Sequence, residues 1–346
     1  MSQSTLIAVD LAKEVFQVAL ARPQGKAFSH QRLNRRKFEE FLARSERAIV
    51  LFEACGSAHF WCRQAASHGH EPIMLPAQFV RKYRLRNKTD QTDTEALLDA
   101  YRSGRVHPVP VRSIEQQQIQ QLHRVREQWK STRVARINGL RGCLRELGHA
   151  IPTGPNAAKR HAVRIIDQDD FPAGLRVAFS ELLQEIADLE DRIKLAEHQI
   201  AALTRNNEDV ALLGQIPGIG LLTSTALVAC AGSPDHFKSG RHFASWLGIT
   251  PLECSSGHRR WLGRITKRGD KYLRMLIIHG ARSALCRAKT LAKADKPLNR
   301  VQRWALRLER RVGYNKATVA LANKMARMCW AVWKHRTPFN PGPALS

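Results

Sequence analysis

The sequence lacks the features that would place the protein in a membrane, in an oxidising compartment or around zinc. No run approaches 18 uninterrupted apolar residues, and the opening MSQSTLIAVDLAKEVFQVAL has charges inside its apolar part and no small-residue cleavage site. The seven cysteines are scattered, odd in number and without a CxxC pair. These absences predict a cytoplasmic protein with no membrane span, no disulfide framework and no zinc site.

Acidic residues are also scarce relative to basic ones. The 346 residues include 56 Lys and Arg against 30 Asp and Glu, which gives a formal net charge of +26. Residues 251–340 alone have 22 basic and 4 acidic residues. Such an excess is typical of proteins that bind nucleic acid. A hydrophobic content of 43% excludes a disordered basic tail and allows two or three folded units.

Apolar patterns divide the chain into three regions and a short tail. Residues 1–110 alternate short apolar strands with helices, which predicts a mixed α/β sheet. Residues 111–208 contain two long helical patterns. Residues 209–338 are mainly helical, and the Pro-rich residues 339–346 are expected to be disordered.

The second long helical pattern has the spacing of a coiled-coil seam. Its apolar residues recur at steps of four and three, with charged residues between them. The two helices of residues 111–208 are therefore expected either to form an antiparallel hairpin or to contact another subunit. The seam residues are Leu182, Ile186, Leu189, Ile193, Ala196, Ile200 and Leu203.

Four carboxylates stand where a mixed sheet could bring them together. Asp10 and Glu53 each end an apolar strand, and Asp90 and Asp93 lie three residues apart at a helix start. Oxygen ligands of this kind suit Mg²⁺, and two such ions can hold the attacking and leaving oxygens in phosphoryl transfer. Each acid alone is more simply a helix cap or turn residue, so the metal hypothesis depends on the set.

Two other features carry weaker signals. The turn PGIG puts Gly218 and Gly220 ahead of a helix, where backbone amides can approach a phosphate as in helix-hairpin-helix proteins. A plain turn between helices explains the same glycines equally well. His59 is interpreted as a packing or surface histidine, because no set of His and Cys partners lies at metal spacing.

The stretch TPLECSSGHRRWLGRITKRGDKYLR places two serines before a dense basic run. A serine hydroxyl is a poor nucleophile unless nearby charges stabilise its alkoxide and the leaving group. From the residues alone, Ser255 and Ser256 are more simply turn residues than nucleophiles. The basic side chains are interpreted as phosphate contacts. These residues are Arg259, Arg260, Arg264, Lys267, Arg268, Lys271 and Arg274.

Six motifs, taken in order, resemble those of a known family: AVDLAK, FEACGSAHFW, NKTDQTDTEAL, IPGIGLLTSTAL, FASWLGITPLECSSGHRRWLGRITKRGDKYLR and NKATVALANKMARMCWAVW. Over nearly its whole length the chain resembles the insertion-sequence transposases related to the Piv DNA invertase, which are DEDD recombinases that use a bridge RNA. The resemblance implies a RuvC-like, RNase H-type domain over 1–110, a helical coiled-coil region for oligomerisation over 111–208, and a mainly α-helical serine transposase domain over 209–338.

The resemblance also implies roles for particular residues. The four acids that bind Mg²⁺ in the family, in a two-metal site, correspond to Asp10, Glu53, Asp90 and Asp93. The family's essential serine corresponds to Ser256, which would form a phosphoserine link to DNA during strand exchange. The RuvC-like site of one subunit would serve the serine domain of another.

The partners follow from the same resemblance. It implies donor and target DNA, a structured bridge RNA, and a homodimer that pairs into a tetramer on two duplexes. The expected location is the bacterial cytoplasm, with association to the nucleoid when bound to DNA. In these terms the function is RNA-guided, serine-mediated DNA strand exchange by a transposase.

Two departures from the family pattern leave alternatives open. The usual SSGG-K reads SSGHR here, and Thr94 stands where the family has a small residue. Ser255 remains an alternative nucleophile, because the choice of Ser256 rests on the glycine that follows it. Two other functions also stay open. One is a metal-dependent junction nuclease without a covalent intermediate, and the other is a non-catalytic architectural protein that binds nucleic acid.

Overall fold

A computed structural model describes residues 5–84, 87 and 89–340 of the chain. The chain divides into two compact units, Met1–Ser113 and Ile114–Ser346. The first contains a central sheet, and the second is mainly helical, with separate buried cores in each unit. Within the described residues, no helix has both the length and the apolar character needed to cross a membrane.

The first unit is built on a five-stranded mixed sheet with the order β3-β2-β1-β4-β5. β1, β2 and β3 pair antiparallel, whereas β1, β4 and β5 are parallel to one another. The mixed α/β class expected from the sequence is confirmed. The strands are β1 (Leu6–Asp10), β2 (Val15–Ala21), β3 (Ala27–Asn34), β4 (Ile49–Glu53) and β5 (Glu71–Leu75).

Helices cover both faces of this sheet, because its central strands are apolar on both faces. On one face the rings of Phe16, Phe38 and Trp61 meet edge to face. On the other face Leu97 packs in a core with Leu51. The helices of this unit are α1 (Arg35–Arg44), α2 (Ala58–Ser67), α3 (Ala77–Val80), a 3₁₀ turn (Arg81–Tyr83) and α4 (Asp90–Arg102).

The pairing of β1 with β4 places two of the predicted acids at one edge of the sheet. The parallel register pairs Val9 with Phe52. Asp10 and Glu53 are the next residues on the two strands, so both strands end on the same row. Strand order and register, which the sequence does not state, therefore bring the first two carboxylates together.

The second unit begins with three helices, α5 (Ile114–Glu146), α6 (Pro155–Ile166) and α7 (Ala173–Leu203). The apolar seam of α7 lies against α5 of the same chain, and the two helices are antiparallel. Five of the seven seam residues are buried, namely Ile186, Leu189, Ile193, Ala196 and Ile200. Three ion pairs show that the helices are antiparallel, because the residue number on α7 decreases as the number on α5 increases. They join Arg126 with Glu197, Arg133 with Glu190 and Arg136 with Glu185.

The rest of the second unit packs short and long helices around one apolar core. A two-stranded antiparallel hairpin is inserted between the helices. The elements are α8 (Glu208–Gly214), α9 (Leu221–Ala231), a 3₁₀ turn (Pro234–His236), α10 (Gly240–Trp246), β6 (Pro251–Glu253), β7 (Leu262–Ile265), α11 (Lys271–Lys293), α12 (Arg300–Val312) and α13 (Tyr314–His335).

The PGIG turn between α8 and α9 is fixed by close packing. Gly218 has a positive φ of 90°, and a Cβ there would lie 2.4 Å from the carbonyl oxygen of Gly280. A side chain at Gly218 or at Gly280 would separate α11 from this turn. Gly220 is the N-cap residue of α9 and has open space around it. Packing within the protein thus accounts for Gly218 without a bound nucleic acid.

Phe339, the first residue of the expected C-terminal tail, contacts the second unit. This ring is half-buried against the core of the second unit, and its backbone N–H donates to Gln215 Oε1 at 3.2 Å. An aromatic ring beside an apolar core gains from burial. The disorder expected for residues 339–346 stays a prediction. Residues 341–346 of the predicted tail lie outside the described residues.

Candidate active-site residues

All four predicted acids line one cavity of about 600 Å³ in the first unit. Asp10 and Glu53 reach it from the ends of β1 and β4, and Asp90 and Asp93 reach it from the first turn of α4. α4 begins there because Thr89 forms a capping box that satisfies its first amides. The cavity is also lined by Leu11, Cys55, Arg81 and Arg84.

Arg84 is the member of this cavity that sequence reasoning missed. Its Nη2 lies 2.5 Å from Oδ1 of the buried Asp93. Yet neither this oxygen nor Arg84 Nε has a hydrogen-bond partner in the described part of the chain, so the contact is an ion pair without hydrogen-bond geometry. Burying a carboxylate is costly unless a positive charge compensates it. Arg84 supplies that charge in this conformation.

The donor set of the cavity fits a divalent cation such as Mg²⁺. Carboxylate oxygens are the ligands that Mg²⁺ prefers, and the buried Asp93 oxygen accepts no hydrogen bond in the described chain. In the present side-chain positions, no three His, Cys, Asp or Glu of the described residues are grouped closely enough to hold a metal ion. A bound cation would therefore have to draw the carboxylates together and take over the role of Arg84.

His59, close to this cavity in sequence, has a packing role. Its ring is nearly buried, and its Nδ1 accepts from the backbone N–H of Arg112 at 3.2 Å. A second contact of 3.0 Å joins its Nε2 to Arg112 Nη1. The interpretation of His59 as a packing histidine agrees with these contacts.

The two serines lie at the tip of the β6–β7 hairpin in the second unit. Ser256 and Arg259 exchange both backbone hydrogen bonds, at 3.2 and 3.1 Å, across a tight turn. Gly257 occupies the turn with a φ of 53°, a conformation that glycine adopts without strain. Ser256 is exposed, and its hydroxyl makes no hydrogen bond within the described residues.

Ser255 points to the other face of the hairpin and is occupied there. Its hydroxyl donates to Glu253 Oε1 at 2.9 Å, and Arg260 donates to both oxygens of the same carboxylate at 3.0 and 3.2 Å. Hydrogen bonds from Arg260 and then Ser255 lower the pKa of Glu253 below its usual value. The neighbouring serines thus differ: Ser255 belongs to a closed network, whereas the Ser256 hydroxyl is available.

The basic residues of the hairpin region fall into two groups. Arg260 is paired with Glu253, and Arg274 donates through Nη1 to the carbonyl oxygen of Gly269 at 2.9 Å. These two guanidinium groups are therefore engaged by other groups of the same region. The other five basic side chains are exposed, namely Arg259, Arg264, Lys267, Arg268 and Lys271.

A buried histidine anchors the helix that follows the hairpin. His123 of α5 contacts the Tyr272 hydroxyl through Nδ1 at 2.9 Å and the Thr225 hydroxyl through Nε2 at 3.0 Å. Burial, with a smaller contribution from Arg126, lowers the pKa of His123 to about 4. The imidazole is therefore neutral at pH 7 and joins α5 to α9 and to the start of α11.

A basic stripe on α12 was not singled out from the sequence. Its apolar face packs into the core through Val301, Trp304 and Ala305. Four arginines recur at helical spacing and are exposed on the remaining surface: Arg300, Arg307, Arg310 and Arg311. The signal was present in RVQRWALRLERRV, where basic and apolar residues have the same helical period. Such a stripe is suited to a phosphate backbone.

Comparison with protein families matches both units. Residues 210–296 match the model of the transposase IS116/IS110/IS902 family. Residues 7–149 match a second transposase model, that of the IS110 DEDD domain. The first match contains the serine hairpin, and the second contains all four acids of the cavity. The mixed sheet is consistent with a RuvC-like DEDD domain.

Curated relatives extend the similarity to the whole chain. A probable family 20 transposase of Pseudomonas aeruginosa is 39% identical over 342 residues, which cover 97% of this chain and 98% of the relative. The transposase of the insertion element IS1111A from Coxiella burnetii is 31% identical over 344 residues, covering 99% and 93%. A pilin gene-inverting protein of Moraxella bovis is 28% identical over 158 residues, covering 43% and 46%. The chain therefore belongs to the IS116/IS110/IS902 family of insertion-sequence transposases.

Proposed function

We propose that this transposase exchanges DNA strands through a covalent phosphoserine intermediate on Ser256. The observation that carries the proposal is the difference between the two serines. The Ser256 hydroxyl is exposed at the tip of a basic hairpin and makes no hydrogen bond within the described residues, whereas Ser255 is bonded to Glu253. A nucleophile has to be accessible to its substrate, and a serine also needs a group that takes up its proton. Ser256 is accessible, and its hydroxyl has no competing partner within the described residues.

The proposed reaction proceeds in two balanced steps. In the first, the Ser256 hydroxyl loses its proton, Oγ bonds to the phosphorus of a phosphodiester, and the bond from phosphorus to the 3′ oxygen breaks. The departing oxygen takes up a proton and becomes a 3′ hydroxyl. In the second, the 3′ hydroxyl of another strand attacks the phosphoserine, and Ser256 regains its proton. The energy of the phosphodiester is conserved, so no ATP is consumed.

Positive charges beside the serine favour this chemistry. Arg259 is the cross-strand partner of Ser256, and the exposed Arg264, Lys267 and Arg268 follow in the same hairpin region. These groups would bind the scissile phosphate and stabilise the negative charge that increases on its oxygens in the transition state. Lys271, at the first position of α11, would extend the same contact surface.

Asp10, Glu53, Asp90 and Asp93 would hold Mg²⁺ in the cavity of the first unit. When bound, the cation would supply Lewis-acid stabilisation of the phosphate and of the leaving oxygen. The carboxylates themselves would fix the position of that charge, and the buried Asp93 would exchange Arg84 for the cation.

We also propose that the protein acts with a structured guide RNA on donor and target DNA, as a homotetramer assembled on two duplexes. The support is the family membership together with the excess of basic residues in the second unit. Its exposed arginine stripe on α12 and the basic hairpin offer two surfaces for phosphate backbones. Sequencing the RNA that copurifies with the protein tests the guide, and a single structured species is expected.

The serine mechanism is tested by trapping covalent adducts on denaturing gels. The wild-type protein and the Ser255→Ala variant should form a protein–DNA adduct, whereas Ser256→Ala should form none. DNA hydrolysis that persists in Ser256→Ala would instead favour a metal-dependent nuclease. An architectural protein would be indicated if Asp10→Asn and Glu53→Gln left every activity unchanged.

A further inference from the structure

An exposed tryptophan lies beside the serine on the hairpin. The side chain of Trp261 is 61% exposed, whereas the other six tryptophans are buried or half-buried. Its six-membered ring lies over Gly263, where an added Cβ would come within 3.2 Å of the ring. The outer atoms of the indole therefore rest against the hairpin backbone at Gly263, and most of the side chain is open to solvent.

The pairing of the hairpin puts this ring on the same face as Ser256. Ser256 pairs with Arg259, and the backbone N–H of Cys254 donates to the carbonyl oxygen of Trp261 at 3.0 Å. Side chains alternate between the two faces along each strand, and cross-strand partners share a face. One face accordingly presents Ser256, Arg259 and Trp261.

The opposite face presents a different set of side chains. It has the closed network of Ser255, Glu253 and Arg260, and Leu262 is the cross-strand partner of Glu253. Leu262 is 48% exposed, so it is an apolar residue of similar accessibility on the face away from Ser256. Leu262 is therefore a control position for any effect that belongs only to the face with Ser256.

We propose that Trp261 is a stacking platform for a nucleobase next to the phosphate that Ser256 attacks. Diagonal neighbours on a hairpin face are about 7 Å apart, a separation comparable to that between a backbone phosphate and a neighbouring base. Stacking on an aromatic ring is tolerant of base identity, as a guided enzyme requires. The placement beside the scissile phosphate rests on the proposed serine mechanism.

Charge complementarity selects nucleic acid as the occupant of this surface. The ring is surrounded in sequence by exposed Arg259, Arg264, Lys267 and Arg268. A protein partner would have to bury these charges together with the ring, whereas a DNA strand offers phosphates for the cations and a base for the indole. Strand exchange breaks base pairs next to the cut, and an exposed indole would stack with a base that has lost its partner.

The test uses a single-stranded 12-nucleotide thymine oligomer that contains three 2-aminopurine bases. Stacking on an indole quenches 2-aminopurine fluorescence, and anisotropy of the same oligomer reports affinity. The full chain should quench the probe, and Trp261→Ala should abolish quenching and weaken binding about 5- to 150-fold. Trp261→Phe should retain most of both effects, because a phenyl ring also stacks. Leu262→Ala should behave as the wild type.

Several results would overturn the proposal. One is binding and quenching by Trp261→Ala at the level of the wild type. Another is an equal loss in Leu262→Ala and Trp261→Ala, which would indicate a disturbed hairpin. A change of oligomeric state in DNA-free Trp261→Ala would show that the ring covers a protein contact. Ser256→Ala separates the two proposals: it should lose the covalent adduct but still quench. An adduct in Ser256→Ala refutes the serine mechanism alone, and a wild-type protein that does not quench refutes stacking alone.

Discussion

Acidification is expected to destabilise the helical unit through its buried histidine. His123 is 3% exposed and is held between the hydroxyl groups of Tyr272 and Thr225. Protonation would place a positive charge on His123 beside Arg126. Burial, and to a smaller extent the charge of Arg126, lowers the pKa of His123 to about 4. In the unfolded chain the imidazole takes up its proton near pH 6.5.

The magnitude follows from these two values. Between pH 6.5 and pH 4 the unfolded state binds more protons than the folded state, so the free energy of unfolding falls as the pH falls. Each pH unit inside this range lowers the free energy of unfolding by about 1.4 kcal/mol, and the loss from pH 6.5 to pH 4 is roughly 3 kcal/mol. Above pH 6.5 the histidine is neutral in both states and contributes no pH dependence.

The assay is urea unfolding at pH 7 and at pH 4, followed by tryptophan fluorescence. Six of the seven tryptophans belong to residues 114–346, so the signal reports mainly on the helical unit. His123→Gln keeps a polar group of similar size but cannot titrate. It should be less stable than the wild type at pH 7 and lose about 3 kcal/mol less on acidification. His258→Gln, in the exposed hairpin turn, is the matched control. Equal losses in the wild type and His123→Gln would refute the reasoning.

Two further predictions concern cations and salt. Arg84→Gln should tighten the binding of Mg²⁺ or Mn²⁺ by about tenfold or more, as measured by calorimetry. The reason is that the guanidinium beside Asp93 repels an incoming metal cation by a few kcal/mol. Weaker binding would instead show that Arg84 positions the carboxylate. Replacing Arg307 and Arg310 together by glutamine should make duplex DNA binding less sensitive to salt. The negative slope of log affinity against log salt should become shallower by about 2. An unchanged slope would exclude the α12 stripe from the contact surface.

The sequence by itself determined the local elements and the chemistry of the candidates. Apolar strands alternating with helices gave the mixed α/β class, since a two-residue period and a helical period are properties of the chain alone. The acids at Asp10 and Glu53 and the motif around Asp90 and Asp93 were visible as residues at element ends. The net charge of the chain likewise indicates a nucleic-acid partner from composition alone.

Only the tertiary structure decided which of these groups meet and which are already engaged. The cavity of the four acids depends on the β1–β4 register and on the placement of α4. The ion pair of Arg84 with Asp93 joins residues nine positions apart, and no periodic pattern encodes that contact. Ser255 and Ser256 are adjacent residues of the same type. Only the pairing of the hairpin places the Ser255 hydroxyl against Glu253 and the Ser256 hydroxyl in solvent. Periodicity records which side of an element faces the core, whereas contacts between elements arise from how the whole chain packs.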